Sequence, residues 1–154
     1  MRHLLIACTF LLSSTWAAAD RLPLPNDAPP AFAQECGSCH LPYPPQLLTA
    51  DDWQRLMQGL DKHFGADATL DHKTAQSILT FLQKNAGTSA RYSPAGDPPR
   101  VSRTPWFQRE HGRLSLAVWK RPAVRSPANC EACHRQAAKG SFSEREIVIP
   151  GGER

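Results

Sequence analysis

Two short motifs with identical spacing constrain this chain more than any other feature of its sequence. The first, CGSCH, runs from Cys36 to His40, and the second, CEACH, runs from Cys130 to His134. Four of the five cysteines in the chain lie in these two pairs. The chain is also rich in proline, with 14 in 154 residues. A small domain of this composition usually needs disulfides, a metal or a large cofactor to fold stably.

The beginning of the chain has the features of a secretory signal peptide. A positive start is followed by the apolar stretch Leu4–Trp16 and by small residues that precede a cleavage point between Ala19 and Asp20. The apolar stretch is too short for a comfortable membrane span, and no later stretch is long and apolar enough for one. We predict that residues 1–19 are removed together with Cys8, and that a soluble protein reaches the periplasm.

The spacing C-x-x-C-H is the attachment signature of a c-type haem. The two intervening residues let one helical turn present both sulfurs to the two vinyl groups on one edge of a porphyrin. The adjacent histidine then lies beneath the iron and supplies the proximal imidazole. We therefore predict two covalently attached haems, held by Cys36, Cys39, His40, Cys130, Cys133 and His134.

Three other uses of paired cysteines fit this sequence less well. Disulfides suit an exported protein, but they leave the histidine after each pair unexplained. A thioredoxin-like site needs one cysteine pair in a βαβ context, and the sequence has no such pattern. A zinc site built from both pairs is conceivable, but zinc thiolate sites are uncommon outside the cytoplasm.

The number of histidines limits which residues can bind the far side of each iron. After removal of the signal peptide the chain has five histidines and a single methionine. Two of the histidines, His40 and His134, are the predicted proximal ligands. The candidates for the two distal positions are therefore His63, His72, His111 and Met57.

The segment TADDWQRLMQGLDKHFG favours a helix that carries His63 towards the first haem. Thr49 stands in capping-box spacing to Asp52, apolar residues then recur at three- and four-residue steps, and Gly65 ends the helix. His63 borders the apolar face in the last turn, so we predict that it is the distal ligand of the first haem. Met57 lies on the same face and remains an alternative, although such a side chain more often fills a core.

A second helix is predicted in LDHKTAQSILTFLQKNAG, with Asp71 as its N-cap and Gly87 as its end. Its predicted buried stripe consists of Ala75, Ile78, Leu79 and Leu82. His72 takes the first helical position, where side chains usually point to solvent, so its ligation is kept only as an alternative.

The stretch GTSARYSPAGDPPRVSRTP is rich in Pro, Ser, Gly and Arg, and it predicts an irregular linker. We assign the linker to residues 91–104. Residues 20–90 then form an N-terminal haem-binding lobe, and residues 105–154 form a C-terminal haem-binding lobe.

The segment TPWFQREHGRL predicts a short helix in the C-terminal lobe. Thr104 caps it, Pro105 takes the first turn, and Phe107, His111 and Leu114 share a face. We predict His111 as the distal ligand of the second haem.

Two further elements are predicted closer to the C-terminus. Ser126 and Pro127 are expected to begin a helix that carries the second attachment motif. The apolar run Ile147–Ile149 favours a short strand or packing against the second haem.

Two histidines on each iron leave no position at which a substrate can bind. The prediction is therefore an electron carrier that is not an enzyme and has no catalytic residues, with lower potentials than His/Met ligation gives. The alternative is a haem enzyme or gas sensor, such as a small peroxidase, in which one iron has an open or labile sixth position. A third hypothesis is a haem-bearing domain that serves a larger complex.

Charge is distributed unevenly along a chain whose net charge is +4. Between Ala50 and His72 there are five acidic and two basic residues, and between Arg100 and Arg125 there are seven basic residues and one acidic residue. Ordinary solvated faces are the simpler interpretation. The sharper hypothesis is that the basic part receives an acidic redox partner and speeds the encounter. Export argues against nucleic acid as a partner.

The chain resembles the dihaem cytochrome c family of bacterial periplasmic electron carriers. The resemblance runs from about Glu35 to Pro150 and is carried by ECGSCHLPYPPQLL, MQGLDKHFGADATLD, TPWFQREH and SPANCEACHRQAAKGSFSEREIVIP. It implies two bis-histidine haems, with His63 and His111 as the distal ligands. It also implies redox partners such as a small monohaem cytochrome c and a membrane cytochrome b. We therefore expect a mainly α, small two-lobed c-type cytochrome with short helices packed around two covalently bound haems.

Overall fold

The computed structural model describes residues 21–152 and is mostly helical. It contains four α-helices: α1 (Ala50–Gln58), α2 (His72–Lys84), α3 (Pro105–His111) and α4 (Leu116–Trp119). A π-helix lies at Phe32–Cys36, and 3-10 helices lie at Pro45–Leu47, Leu60–Lys62, Ala90–Tyr92, Val101–Arg103, Cys130–Ala132, Ala137–Lys139 and Glu144–Glu146. Within this part of the chain there is no strand, only three isolated β-bridges. The prediction of a mainly α fold is confirmed, whereas the predicted signal peptide lies outside the described residues.

Helix α1 begins where the sequence predicts and ends earlier. The hydroxyl of Thr49 accepts a hydrogen bond from the backbone N–H of Asp52, which caps the first turn. The predicted continuation to Gly65 is wrong, because the α-helix ends at Gln58 and Gly59 turns the chain into a 3-10 helix. Glycine weakens a helix interior by about 1 kcal/mol relative to alanine, so it is a natural point for this break.

Helix α2 packs against α1 and begins at its predicted N-cap. The carboxylate of Asp71 accepts hydrogen bonds from the backbone N–H groups of Lys73 and Thr74. Ile78 and Leu82 of the predicted stripe are buried. Phe81, which the stripe omits, is also buried, and its ring lies 5.1 Å from that of Phe32. The contact partner of Phe81 is distant in sequence, so helical periodicity alone does not reveal it.

The hydrophobic core runs from the first attachment motif into α3. It includes residues of the segment predicted as a linker, namely Tyr92, Ala95 and Val101. Ala95 is fully buried, and Tyr92 is 5 % exposed. The segment is irregular, as expected, but it contributes to the core and is not merely a solvated connection. The division into two lobes stays a prediction.

Helix α3 begins where the sequence predicts and ends before Leu114. The hydroxyl of Thr104 accepts a hydrogen bond from the N–H of Phe107 at 3.2 Å, and Pro105 occupies the first turn. The helix ends at His111, and Gly112 follows as its C-cap. These local signals therefore place His111 at the last turn of a capped helix.

The predicted helix around the second attachment motif is wrong. Ser126 does accept a hydrogen bond from the N–H of Ala128, but the chain then makes a turn. Asn129, with φ −90° and ψ 74°, interrupts the helical backbone before a single 3-10 turn at Cys130–Ala132. Ser126 therefore starts a single turn that does not continue into a helix.

Both ends of the described chain lie against the second motif or the turn that follows it. Ile147 forms an antiparallel bridge with His134, and the N–H of Val148 donates to the carbonyl of Cys133 at 3.0 Å. The predicted short strand is thus reduced to one bridge. At the other end, the N–H of Leu22 donates to the carbonyl of Gly140 at 2.8 Å. Across residues 21–152, no helix has the length and apolar character required to cross a membrane.

Candidate haem sites

The first attachment motif is built on the end of a π-helix and the turn that follows it. Cys36 is the last residue of the π-helix, and the N–H of Gly37 donates to the carbonyl of Ala33 at 3.1 Å. A Cβ at position 37 would overlap that carbonyl oxygen, so the turn between the two cysteines requires glycine. Burial, and secondarily the charge of Glu35, raises the pKa of the Cys36 thiol to about 11, whereas Cys39 is exposed.

The structure brings His63 to the predicted proximal ligand His40. The two imidazole centroids are 6.2 Å apart, and the ring planes differ by 21°. Nδ1 of His40 lies 2.7 Å from the carbonyl oxygen of Leu41, an acceptor, so Nδ1 carries the proton and Nε2 keeps its lone pair.

His63 is held by a tight turn directly after the 3-10 helix that follows α1. Phe64 and Gly65 both have positive φ, of 50° and 98°, which folds the chain back on itself. The guanidinium of Arg100 lies 3.8 Å above the Phe64 ring. Burial, and then the positive charges of His40 and Arg100, lowers the pKa of His63, which favours the neutral imidazole that can bind a metal.

The second attachment motif lies on the single 3-10 turn and on the bridge to Ile147. Burial raises the pKa of the Cys130 thiol to about 11 and also raises that of Cys133. Burial, and then the charge of His111, lowers the pKa of His134. The buried Nδ1 of His134 has no hydrogen-bond partner within the described part of the chain. In this respect the two predicted proximal histidines differ, because Nδ1 of His40 lies 2.7 Å from the carbonyl oxygen of Leu41.

His111 faces His134 from the end of α3. Their centroids are 6.0 Å apart, and their planes differ by 74°. Nδ1 of His111 donates to the carbonyl of Phe107 at 3.1 Å, and the Phe107 ring stacks on the imidazole at 4.0 Å. Burial lowers the pKa of His111. The capped helix therefore presents a neutral imidazole with Nε2 free.

The distances between the paired rings fit one metal ion between each pair. With metal–nitrogen distances of about 2.0–2.1 Å and about 1.1 Å from nitrogen to ring centroid, two imidazoles on opposite sides of a metal have centroids about 6.3 Å apart. The observed separations are 6.2 and 6.0 Å. Each pair is also accompanied by the two cysteines that thioether attachment requires, so these residues fit two c-type haems.

A cavity of about 290 Å³ lies beside the second pair. Aromatic side chains of α3 and α4 line it, together with the second motif: Trp106, Phe107, His111, Trp119, Cys133 and His134. Trp53, by contrast, lies in the hydrophobic core, where its indole N–H donates to the carbonyl of Pro45 at 2.7 Å.

The two alternative ligands lie in ordinary environments. His72 is exposed at the first residue of α2. Met57 is partly buried and packs against the hydrophobic core. The structure does not assign ligands directly, and the choice of His63 and His111 stays a prediction.

Sequence analysis missed one residue that touches the first site. The ring of Tyr43 stacks on His40 with centroids 4.7 Å apart. The only indication of this contact in the sequence is the position of Tyr43, which lies three residues after the motif and between two prolines. Its second contact, with a residue 85 positions away, leaves no trace in the sequence.

Comparison with known proteins yields one family and several solved structures. A family model described as dihaem cytochrome c matches residues 32–142. DHC purified from Rhodobacter sphaeroides is 38 % identical, and the match covers 77 % of this chain and 99 % of that chain with a TM-score of 0.65. A dihaem cytochrome c from Shewanella baltica OS155 is 33 % identical, with 81 % and 95 % covered and a TM-score of 0.71. No curated protein gives a match.

The family match agrees with the geometry of the two sites. It extends over most of the chain and includes both cysteine pairs and all four histidines of the facing pairs. The family has two covalently bound c-type haems, and the two predicted attachment motifs of this chain each contain a pair of cysteines. The chain belongs to the dihaem cytochrome c family and is an electron-transfer cytochrome.

Proposed function

We propose that the protein is a periplasmic carrier of single electrons in which both irons are bound by two histidines. His40 and His63 are assigned to the first haem, and His134 and His111 to the second. One observation carries the proposal: the two imidazole rings of each pair lie close together, with centroids 6.2 Å apart in the first pair and 6.0 Å apart in the second. When bound, each haem supplies a one-electron redox centre.

The protein's own contribution is to hold neutral imidazoles in place. Carbonyl acceptors fix the protonated nitrogen of His40 and His111, which keeps Nε2 available. Burial disfavours the charged form of His63, His111 and His134. With two histidines holding each iron, a small molecule could bind only by displacing a side chain, and the haems would then supply outer-sphere electron transfer.

Replacement of single histidines tests the ligand assignment. We expect His63→Ala and His111→Ala each to leave one of the two haems five-coordinate or water-bound, visible in the absorption spectrum and as carbon monoxide binding after reduction. His72→Ala is the matched control, because that side chain is exposed on α2, and it should leave the spectrum unchanged. Parental spectra in both His63→Ala and His111→Ala would contradict the assignment. Carbon monoxide binding by the unmodified reduced protein would support the enzyme or gas sensor instead.

We further propose that the carrier exchanges electrons with an acidic redox partner protein, such as a small monohaem cytochrome c, and with a membrane cytochrome b. The basic stretch between Arg100 and Arg125 supports this, because most of its cations are exposed: Arg103, Arg109, Arg113, Lys120 and Arg125. Opposite charges speed the encounter of two proteins without requiring tight binding.

A charge reversal at Lys120 tests the partner surface. Lys120→Glu should slow second-order electron transfer with an acidic monohaem cytochrome by about threefold at low salt, and the difference should vanish at high salt. Lys73→Glu makes the same charge change on exposed α2, outside the basic stretch, and should have a smaller effect. Equal effects of the two reversals would argue against a dedicated basic docking surface.

A further inference from the structure

Tyr43 connects the first attachment motif with the loop that precedes the second. Its ring stacks on the imidazole of His40 with centroids 4.7 Å apart and planes 21° apart. Its hydroxyl donates a hydrogen bond to the carbonyl of Ala128 at 2.7 Å, over a separation of 85 residues. Ala128 stands two residues before Cys130. One side chain therefore touches the proximal ligand of the first haem and the loop that leads to the second.

The two motifs also share a cavity close to this contact. The cavity measures about 280 Å³ and is lined by Cys39 and His40 from the first motif, by Cys130 and Glu131 from the second, and by Asn129, which directly precedes the second motif. The first proximal histidine and the second attachment site thus border the same space, with the Tyr43–Ala128 hydrogen bond tying the two sides together.

The local sequence and environment hold Tyr43 in place. It lies between Pro42 and Pro44, and a residue before proline is restricted to extended backbone conformations. A tyrosine hydroxyl carries its proton at physiological pH, so it can donate to the Ala128 carbonyl. The Ala128 loop has its own anchors, since the amide of Asn129 donates to the carbonyl of Val124 at 3.1 Å.

We propose that Tyr43 is a positioning residue that fixes the two haem sites relative to each other and so sets the rate of electron exchange between them. The inference rests on the electron-carrier function proposed above. In each exchange the reduced site loses the electron that the oxidised site gains, and Tyr43 neither gains nor loses an electron or a proton. Its role follows from distance, because electron transfer between centres slows steeply as they separate.

Two substitutions separate the roles of the hydroxyl and the ring. Tyr43→Phe keeps the stacking on His40 and removes the hydrogen bond to Ala128. One neutral hydrogen bond changes a conformational equilibrium by about fivefold, so we expect exchange to slow by about that factor. Tyr43→Leu also removes the stacking, so exchange should slow further, by about tenfold or more, and the spectrum of the first haem should change.

The chain offers a matched control in its other tyrosine. Tyr92 lies in the hydrophobic core, where its ring is 6.0 Å from that of Trp106. Tyr92→Phe removes a hydroxyl from the same residue type away from the two motifs. Its exchange rate should equal that of the parent, even if its stability differs.

The experiment is NMR exchange spectroscopy on the half-reduced holoprotein, with thermal unfolding measured on the same samples. Slower exchange in Tyr43→Phe and Tyr43→Leu, with Tyr92→Phe unchanged, supports the inference. If both Tyr43 variants exchange electrons at a rate within twofold of the parent, the inference is wrong. This holds even if their unfolding temperature falls, because the role of Tyr43 would then be only structural. If the exchange rate does not respond to the Tyr43 substitutions but the oxidised parent shows two low-spin signals in electron paramagnetic resonance, the bis-histidine proposal stands. Carbon monoxide binding by the reduced parent would overturn that proposal independently of Tyr43.

Discussion

The N-cap of α3 gives a quantitative test of how the structure holds His111. Thr104 is fully buried, and its hydroxyl makes two hydrogen bonds: it accepts from the N–H of Phe107 at 3.2 Å and donates to the carbonyl of Val101 at 2.8 Å. Helix α3 has only seven residues, too few to be stable without its cap and tertiary contacts. The substitution Thr104→Val keeps the shape of the side chain and removes both bonds.

The expected cost is the sum of two small contributions. Loss of an N-cap typically costs about 1 kcal/mol, and loss of the second hydrogen bond about 1 kcal/mol. The second value stays low because the Val101 carbonyl also accepts from the N–H of Thr104 at 3.1 Å and is not left unsatisfied. We therefore expect Thr104→Val to lower the free energy of unfolding by about 2 kcal/mol.

Guanidinium denaturation of the holoprotein measures this change, with Thr104→Ser as the control. Serine retains both hydrogen bonds and loses one buried methyl group, which costs about 1 kcal/mol. Valine should therefore be the less stable of the two variants, with an unchanged denaturant dependence. If Thr104→Val were as stable as Thr104→Ser, the cap would not support α3 in the way described.

Two further predictions concern the chain ends and the core. Gly140 has φ +72°, and a Cβ there would lie 2.5 Å from the Cα of Pro23. Gly140→Ala should therefore destabilise the protein by at least about 1 kcal/mol and speed hydrogen exchange at the Leu22 amide, and parental exchange at this amide would contradict the close approach. Trp53→Phe removes the buried bond to the Pro45 carbonyl, which still accepts from the N–H of Leu48 at 3.4 Å, and loss of the bond should lower the free energy of unfolding by about 1 kcal/mol in denaturant titrations. A loss below about 0.5 kcal/mol would show that this hydrogen bond contributes little.

Signals that act within one helical turn could be read from the sequence. Thr49, Asp71 and Thr104 cap the three longer helices as predicted, because each cap involves residues two or three positions away. The two attachment motifs belong to the same class, since the chemistry of each requires only five consecutive residues. For this reason the amino-acid sequence alone is sufficient to predict the cofactor.

Helix ends and contacts between distant residues were predicted less well. The chain after α1 favours a longer helix locally, but Gly59 ends it and places His63 on a turn. Ser126 and Pro127 have helix-starting chemistry, yet Asn129 leaves the helical region and the chain turns. The stacking of Tyr43 on His40 and its bond to Ala128 arise only when both motifs are folded together. Periodicity describes one element at a time and contains no information on such contacts.

The most direct test of the central claim is electron paramagnetic resonance of the oxidised holoprotein. Two imidazoles on each iron predict two low-spin signals and no high-spin signal. The signals should differ in anisotropy, because the ring planes are 21° apart in the first pair and 74° apart in the second, and parallel and perpendicular rings split the iron d orbitals differently. A high-spin component from either haem would contradict the assignment of His63 and His111 as the distal ligands of the two irons.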